Sequence, residues 1–259
     1  MGKLTDKLER AEKGAGQPLG FGGAAKRESI APLLLLGAVE AGDAAQAGVV
    51  TASEIDGALI AGAGSAKKTA LNGSVKALGD TLFGVWTDEG QAEEAGGADF
   101  QVFSSDATPA GALSGEGRTL VMQVQPELPD SLLRTIDQLP VDAFLVSLDT
   151  PLTVAQLMRL ARVRGATSKR LLVHLGALPA KADAEQLRDA GASALVVDAA
   201  GQTADTFRET LAMLRELPRK SPRQRDGERS GATVPQPSFG AARSAPQPPP
   251  DDDDDWDDD

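Results

Sequence analysis

Between residues 29 and 218 short apolar runs recur at intervals, bounded by Gly, Asp or Pro. Eight of them read as strands: "LLLLGA", "GALIAG", "TLFGVW", "FQVFSS", "TLVMQV", "AFLVSL", "LLVHLG" and "ALVVDA". Within most runs both alternating sets of positions are apolar. Such strands are buried on both faces, which points to a parallel sheet. Helical periodicity fills many of the gaps, most clearly over Leu128–Leu139, Leu152–Gly165 and Ala204–Leu217. Strands alternating with helices are βα units.

A longer period organises these units. Asp56, Asp99 and Asp142 each stand just before an even-numbered strand, 43 residues apart both times, and Ser193 takes the equivalent place 51 residues further on. An interval of that size holds two βα units, so four copies make an α/β (βα)8 TIM barrel. Solenoids repeat at similar lengths, but with denser and more regular motifs. The Asp positions lie at the N-terminal ends of strands, the face associated with stability, where a carboxylate is expected to cap turn N–H groups.

The flanks differ. Residues 1–28 form a polar, Gly-rich lead-in with one short helix striped by Leu4, Leu8 and Ala11, for which Thr5 is a candidate cap. Residues 29–218 are the barrel domain. Residues 219–259 are a Pro/Arg linker and an acidic tail with little to bury, expected to be disordered.

The segment "DAGASALVVDAAG" is similar to the strand-8 region of phosphate-binding TIM barrels, the ribulose-phosphate-binding group, among which "GAD" before an apolar strand is also common. The resemblance covers roughly residues 30–218 as a pattern and points to no specific family. It implies chemistry on the loops after the strands, with phosphate held at Gly-rich turns after strands 7 and 8. Both turns depart from this. "LGALPAKAD" has one Gly, Gly176, and a Pro that lacks an N–H; "VDAAGQTAD" places the charge of Asp198 near the group's usual Gly.

Composition narrows the chemistry. The net charge of −12 argues against direct nucleic-acid binding, which needs clustered Lys and Arg. The absence of Cys excludes a thiol nucleophile, a disulfide framework and a thiolate metal site. It fits a cytoplasmic protein. The N-terminus is too charged for a secretory signal and no run is long enough to span a bilayer, so no membrane role is expected. No metal spacing stands out, and no cofactor is named by any motif.

Two constellations and the tail remain. Polar residues at strand ends include Glu40, Asp43, Asp88, Glu89, Ser105, Asp106, Gln123, Gln125 and Ser147. Among them Asp149 after strand 6, His174 in strand 7 and Asp198 ending strand 8 form a candidate acid–base group. The loop "GAGSAKKT" (62–69) follows a strand and precedes a helix like a P-loop, but Lys67 replaces the second Gly. Ser65, Lys67, Lys68 and Thr69 are therefore candidate anion contacts. The tail "PPPDDDDDWDDD" sets Trp256 among carboxylates, with Asp255 and Asp257 beside it, which suits a basic protein partner.

The sequence thus favours a catalytically degenerate or non-catalytic barrel working in protein interaction through its tail. The alternatives are a lyase or isomerase acting on a phosphorylated metabolite at the barrel mouth, and a P-loop-like nucleotide binder. Whether the chain is an enzyme stays open at this level.

Overall fold

A computed structural model describes residues 2–13, 31–87, 97–104, 108–114 and 117–218. All eight expected strands form: β1 (Leu34–Glu40), β2 (Gly57–Ala61), β3 (Phe83–Thr87), β4 (Phe100–Ser104), β5 (Thr119–Gln123), β6 (Ala143–Leu148), β7 (Arg170–Leu175) and β8 (Ala192–Asp198). They are parallel, follow chain order, and close into a barrel through β1 and β8. The chain has the fold expected of it.

Seven α-helices are described. α1 (Lys3–Lys13) precedes the barrel. α2 (Ala44–Ser53), α3 (Lys68–Leu78), α4 (Asp130–Ile136), α5 (Val154–Ala166), α6 (Lys181–Ala190) and α7 (Ala204–Glu216) follow β1, β2, β5, β6, β7 and β8. Among the described residues no α-helix follows β3 or β4; a 3-10 helix spans Ala110–Ser114. No described helix is long and apolar enough to cross a membrane. α4 is shorter than its apolar pattern predicts. Pro129 is its N-cap, and its last residues give way to turns at Gln138 and Leu139.

Strand alternation divides the apolar residues into two layers. Leu35, Val39, Ile60, Phe144 and Val197 face outward and pack beneath helix residues such as Val50, Leu160 and Leu211. Leu34, Leu36, Phe100, Val102, Leu145 and Val196 face inward. Gly84 on β3 stands opposite Phe100 on β4, and a methyl there would sit 2.3 Å from the Phe100 ring. The ring fills the space that the glycine leaves.

α1 closes the N-terminal end of the barrel, burying Leu4, Leu8 and Ala11 against the inward layer. Lys3 pairs with Asp99 at 2.8 Å, Lys7 donates to the Asp56 carbonyl at 2.6 Å, and Arg170 meets Glu12 at 3.2 Å. Thr5 does not cap this helix. It lies within it, buried, with its hydroxyl 3.2 Å from that of Thr119. The stripe of Leu4, Leu8 and Ala11 turns that side of the helix inward and carries Thr5 with it.

The repeated Asp is structural, but its partner is a strand rather than a turn. The Asp56 carboxylate accepts from the Leu35 N–H at 2.9 Å, and the Asp56 N–H donates to the Leu35 carbonyl at 3.0 Å. Asp99 does the same with Phe83, at 3.2 and 2.8 Å. Asp142 does it with Leu120, at 2.8 Å for both bonds. Each Asp therefore grips both backbone groups of one residue near the start of the preceding odd strand. Ser193 breaks the series. Leu171 pairs with Ala192 and Leu172 with Ala194, so Ser193 is an extra residue bulged out of the β7–β8 ladder.

Hydrogen bonds to charged groups contribute about 1.5–3 kcal/mol each. Asp142→Ala and Asp99→Ala should each lower unfolding free energy by about 1–3 kcal/mol, measured in urea. Asp56 carries an additional pH signature. Burial raises its carboxyl above the ordinary aspartate value, against the lowering effects of the Leu35 N–H, Lys7 and Arg215. The folded chain therefore holds this proton more tightly than the unfolded chain. That contribution is complete below the ordinary value and is lost as pH rises through the raised one. Asp56→Asn, which keeps an acceptor but cannot ionise, should gain stability relative to the wild type as pH rises from acid to neutral. Asp56→Ala should be less stable than Asp56→Asn throughout.

Candidate active site

The inward alternation ends at the C-terminal mouth with polar side chains. His174 is two residues beyond the inward Leu172, and Asp198 two beyond the inward Val196. β7 and β8 are neighbours, so the two side chains meet. His174 Nε2 lies 2.8 Å from Asp198 Oδ1, with side chains 20% and 42% exposed. A carboxylate only accepts, so in the neutral ring the proton sits on Nε2 and Nδ1 keeps its lone pair. Among the described residues Nδ1 has no hydrogen-bond partner, and it is not sealed from solvent. The pair is thus arranged as an oriented base with a free, accessible nitrogen.

Trp86 completes the floor. It comes from β3, four strands from β7 around the barrel, and its ring meets that of His174 edge-to-face, with centroids 5.3 Å apart and an interplanar angle of 89°. The contact spans the barrel interior and restrains the imidazole plane. The Trp86 Nε1 donor is buried without a partner. Ser147 pairs in register with His174, and Gln123 is the last residue of β5.

The other candidates fall as follows. Asp149 does not join the acid–base pair. Its side chain is exposed and bonded to neither residue, while its carbonyl accepts from Gln156 Nε2 at 3.0 Å. Asp43 caps α2, accepting from the N–H groups of Ala45 and Gln46, both at 3.0 Å. Glu40 ends β1 exposed, and Gln125 lies exposed beyond β5. Asp88, Glu89, Ser105 and Asp106 lie outside the described residues, as do Trp256, Asp255 and Asp257.

The "GAGSAKKT" loop occupies the expected place between β2 and α3. Ser65, Lys67, Lys68 and Thr69 are all exposed. Both the N–H and the hydroxyl of Ser65 donate to the Gly62 carbonyl at 3.3 Å. Lys67 is the helix N-cap in an extended conformation, and no side chain caps the helix. Two cations therefore flank a helix start with free backbone donors, without the Gly that tightens a P-loop.

At the β8 turn, the start of α7 is already capped. Thr203 accepts from the Thr206 N–H at 3.2 Å, and the Thr206 hydroxyl accepts from the Thr203 N–H at 3.1 Å. Among the described residues no cluster of three His, Asp or Glu side chains could hold a metal. Trp86 is a site residue that the sequence does not mark. It stands two residues after the inward Gly84, and the inward direction of Gly84 is visible only in three dimensions.

Comparisons with known proteins bear on the fold. No family model matches the chain, and no curated protein matches it. Solved structures do. A thiamine phosphate pyrophosphorylase from Pyrococcus furiosus is similar with a TM-score of 0.54 and 14% identity, over 71% of this chain and 96% of that one. Tryptophan synthase from M. tuberculosis gives a TM-score of 0.52 and 14% identity, over 71% and 91%. A mutant tryptophan synthase alpha-subunit from Pyrococcus furiosus gives 0.50 and 16%, over 71% and 98%. The resemblance to phosphate-binding TIM barrels holds at the level of fold.

The chain has one His, so its imidazole can be observed without assignment. Nitrogen NMR of the neutral ring should show the proton on Nε2. In Asp198→Ala that preference should weaken toward the mixture of a free imidazole. An unchanged tautomer would mean that Asp198 does not orient the ring.

Proposed function

We propose that the chain is a small-molecule enzyme, a lyase or isomerase that acts on a phosphorylated metabolite at the barrel mouth. One observation carries this reading: the 2.8 Å contact that orients His174 against Asp198 at the C-terminal end of the strands. That is the end at which barrels of this fold place their chemistry. The solved barrels of the same fold bear enzyme names, and one name includes a phosphate compound. This analogy supports the class and not the reaction.

In this scheme His174 Nδ1 takes a proton from the substrate, and Asp198 stabilises the imidazolium that results. The proton returns to a neighbouring atom in an isomerisation, or to the leaving group in an elimination. Lys67 and Lys68 at the start of α3 supply positive charge for the phosphate, with Ser65 and Thr69 beside them. The interaction reading, with a basic protein held by Trp256, Asp255 and Asp257, depends on residues beyond the described barrel. A nucleotide hydrolase would need the second P-loop Gly that Lys67 replaces.

The test is a panel of sugar phosphates incubated in heavy water and followed by proton NMR for exchange or conversion. A turned-over substrate should lose about 10²–10⁴-fold in rate in His174→Asn, the usual contribution of a general base. Lys67→Ala and Lys68→Ala should raise KM more than they lower kcat. Turnover unaffected in His174→Asn, or no exchange with any member of the panel, would overturn the proposal.

A further inference from the structure

The turn after β7 contains an opening beside the acid–base pair. Gly176 is exposed and its backbone is not in the left-handed region. A methyl group there would lie 3.7 Å from Asp198 Oδ2 and 3.9 Å from Thr150 Oγ1, with no other atom within 4 Å. Both oxygens are open to solvent and lack partners among the described residues, since Asp198 uses Oδ1 for His174 and no hydrogen bond is made by the Thr150 hydroxyl. A carbon-sized space is therefore shared by a carboxylate oxygen and a hydroxyl, one atom removed from the group that orients the base.

We infer that this notch binds a hydroxyl group of the substrate, and that the substrate is a polyhydroxylated, sugar-like compound. The inference rests on the acid–base reading of the same mouth. The polar pair selects among ligand groups. A carboxylate oxygen only accepts, whereas a Thr hydroxyl donates and accepts. An alcohol matches both, donating to Asp198 Oδ2 and accepting from Thr150 Oγ1. An ammonium offers nothing for Thr150 to donate to. A phosphate has no donor for Asp198 and is repelled by its charge.

The rim where barrels of this kind frequently hold phosphate is here a hydroxyl site. The anionic end of the substrate is directed elsewhere, toward the cations at the start of α3. Gly176 is the specificity-determining residue, because only a residue without a side chain leaves the space open.

Gly176→Ala is a clean probe. The added methyl makes only ordinary van der Waals contacts, so the fold should tolerate it while the notch is filled. The assay follows the His174 ring proton by NMR during titration with D-ribose, D-fructose, their terminal phosphate esters and inorganic phosphate. The sugars and their esters should shift the resonance saturably, and inorganic phosphate should not. Gly176→Ala should weaken sugar binding about tenfold, as expected when a hydrogen bond to a charged group is lost. Its melting temperature should stay as in the wild type. Thr150→Val should weaken the sugars in the same direction.

Wild-type affinity in Gly176→Ala would overturn the proposal. So would a saturable shift with inorganic phosphate that Gly176→Ala abolishes, or no shift with any sugar. The two readings fail separately. Sugar binding blocked by Gly176→Ala, with turnover indifferent to His174→Asn, removes the acid–base reading and keeps the notch. Turnover that needs His174 and ignores Gly176→Ala does the reverse.

Discussion

Three carboxylates hold the register of the first six strands. Apolar burial supplies most of the driving force for closing this barrel, but it is non-directional. In strands whose two faces are both apolar, sliding one strand by a residue exchanges one buried set for another at small hydrophobic cost. Register must come from directional bonds. The paired bonds of Asp56 to Leu35, Asp99 to Phe83 and Asp142 to Leu120 provide them, each tying an even strand to the odd strand before it. β7 and β8 have no such clamp: Ser193 stands in its place, and a slip at β7 would turn His174 from the mouth into the helix layer.

The polar groups are distributed unequally between the two ends. At the N-terminal end α1 seals the interior with Leu4, Leu8 and Ala11, and its Lys side chains bind groups at the strand starts, among them Asp99 and the Asp56 carbonyl. At the other end the side chains of Asp198 and Thr150 are open to solvent, and Trp86 Nε1 is buried without a partner among the described residues. An unmade hydrogen bond on a buried donor costs about 1–3 kcal/mol. Thr167 Oγ1, just before β7 at the strand-start end, is buried and unpartnered as well.

Much of this could be read from the chain. The eight strands were legible because apolar runs bounded by turn residues leave few other parses, and the 43-residue spacing of Asp56, Asp99 and Asp142 gave the two-unit period. The parity of each strand was not legible, since Leu and Val occupy both faces. Hence Asp149, His174 and Asp198 looked equivalent, and only three dimensions separate the exposed Asp149 from the bonded pair. Thr5 looked like a cap because a short amphipathic helix carries no sign of what lies beneath it. Gly176 and Thr150 gained meaning only from the convergence of three strand ends.

The bulge at Ser193 keeps the fourth copy in step with the other three. An extra residue in a strand exchanges the two sides of everything that follows it. Continued in step from Leu171 and Ala192, β8 would set Ser193 beside Leu172, place Val197 toward the axis and bury Asp198 under the helices. With the bulge, Leu172 faces Ala194 one residue past Ser193, as Leu36 faces Gly57 one past Asp56 and Gly84 faces Phe100 one past Asp99. The extra residue therefore restores to β8 the parity of the other even strands, and the carboxylate of Asp198 stands at the station that Ala61, Ser104 and Ser147 occupy in them.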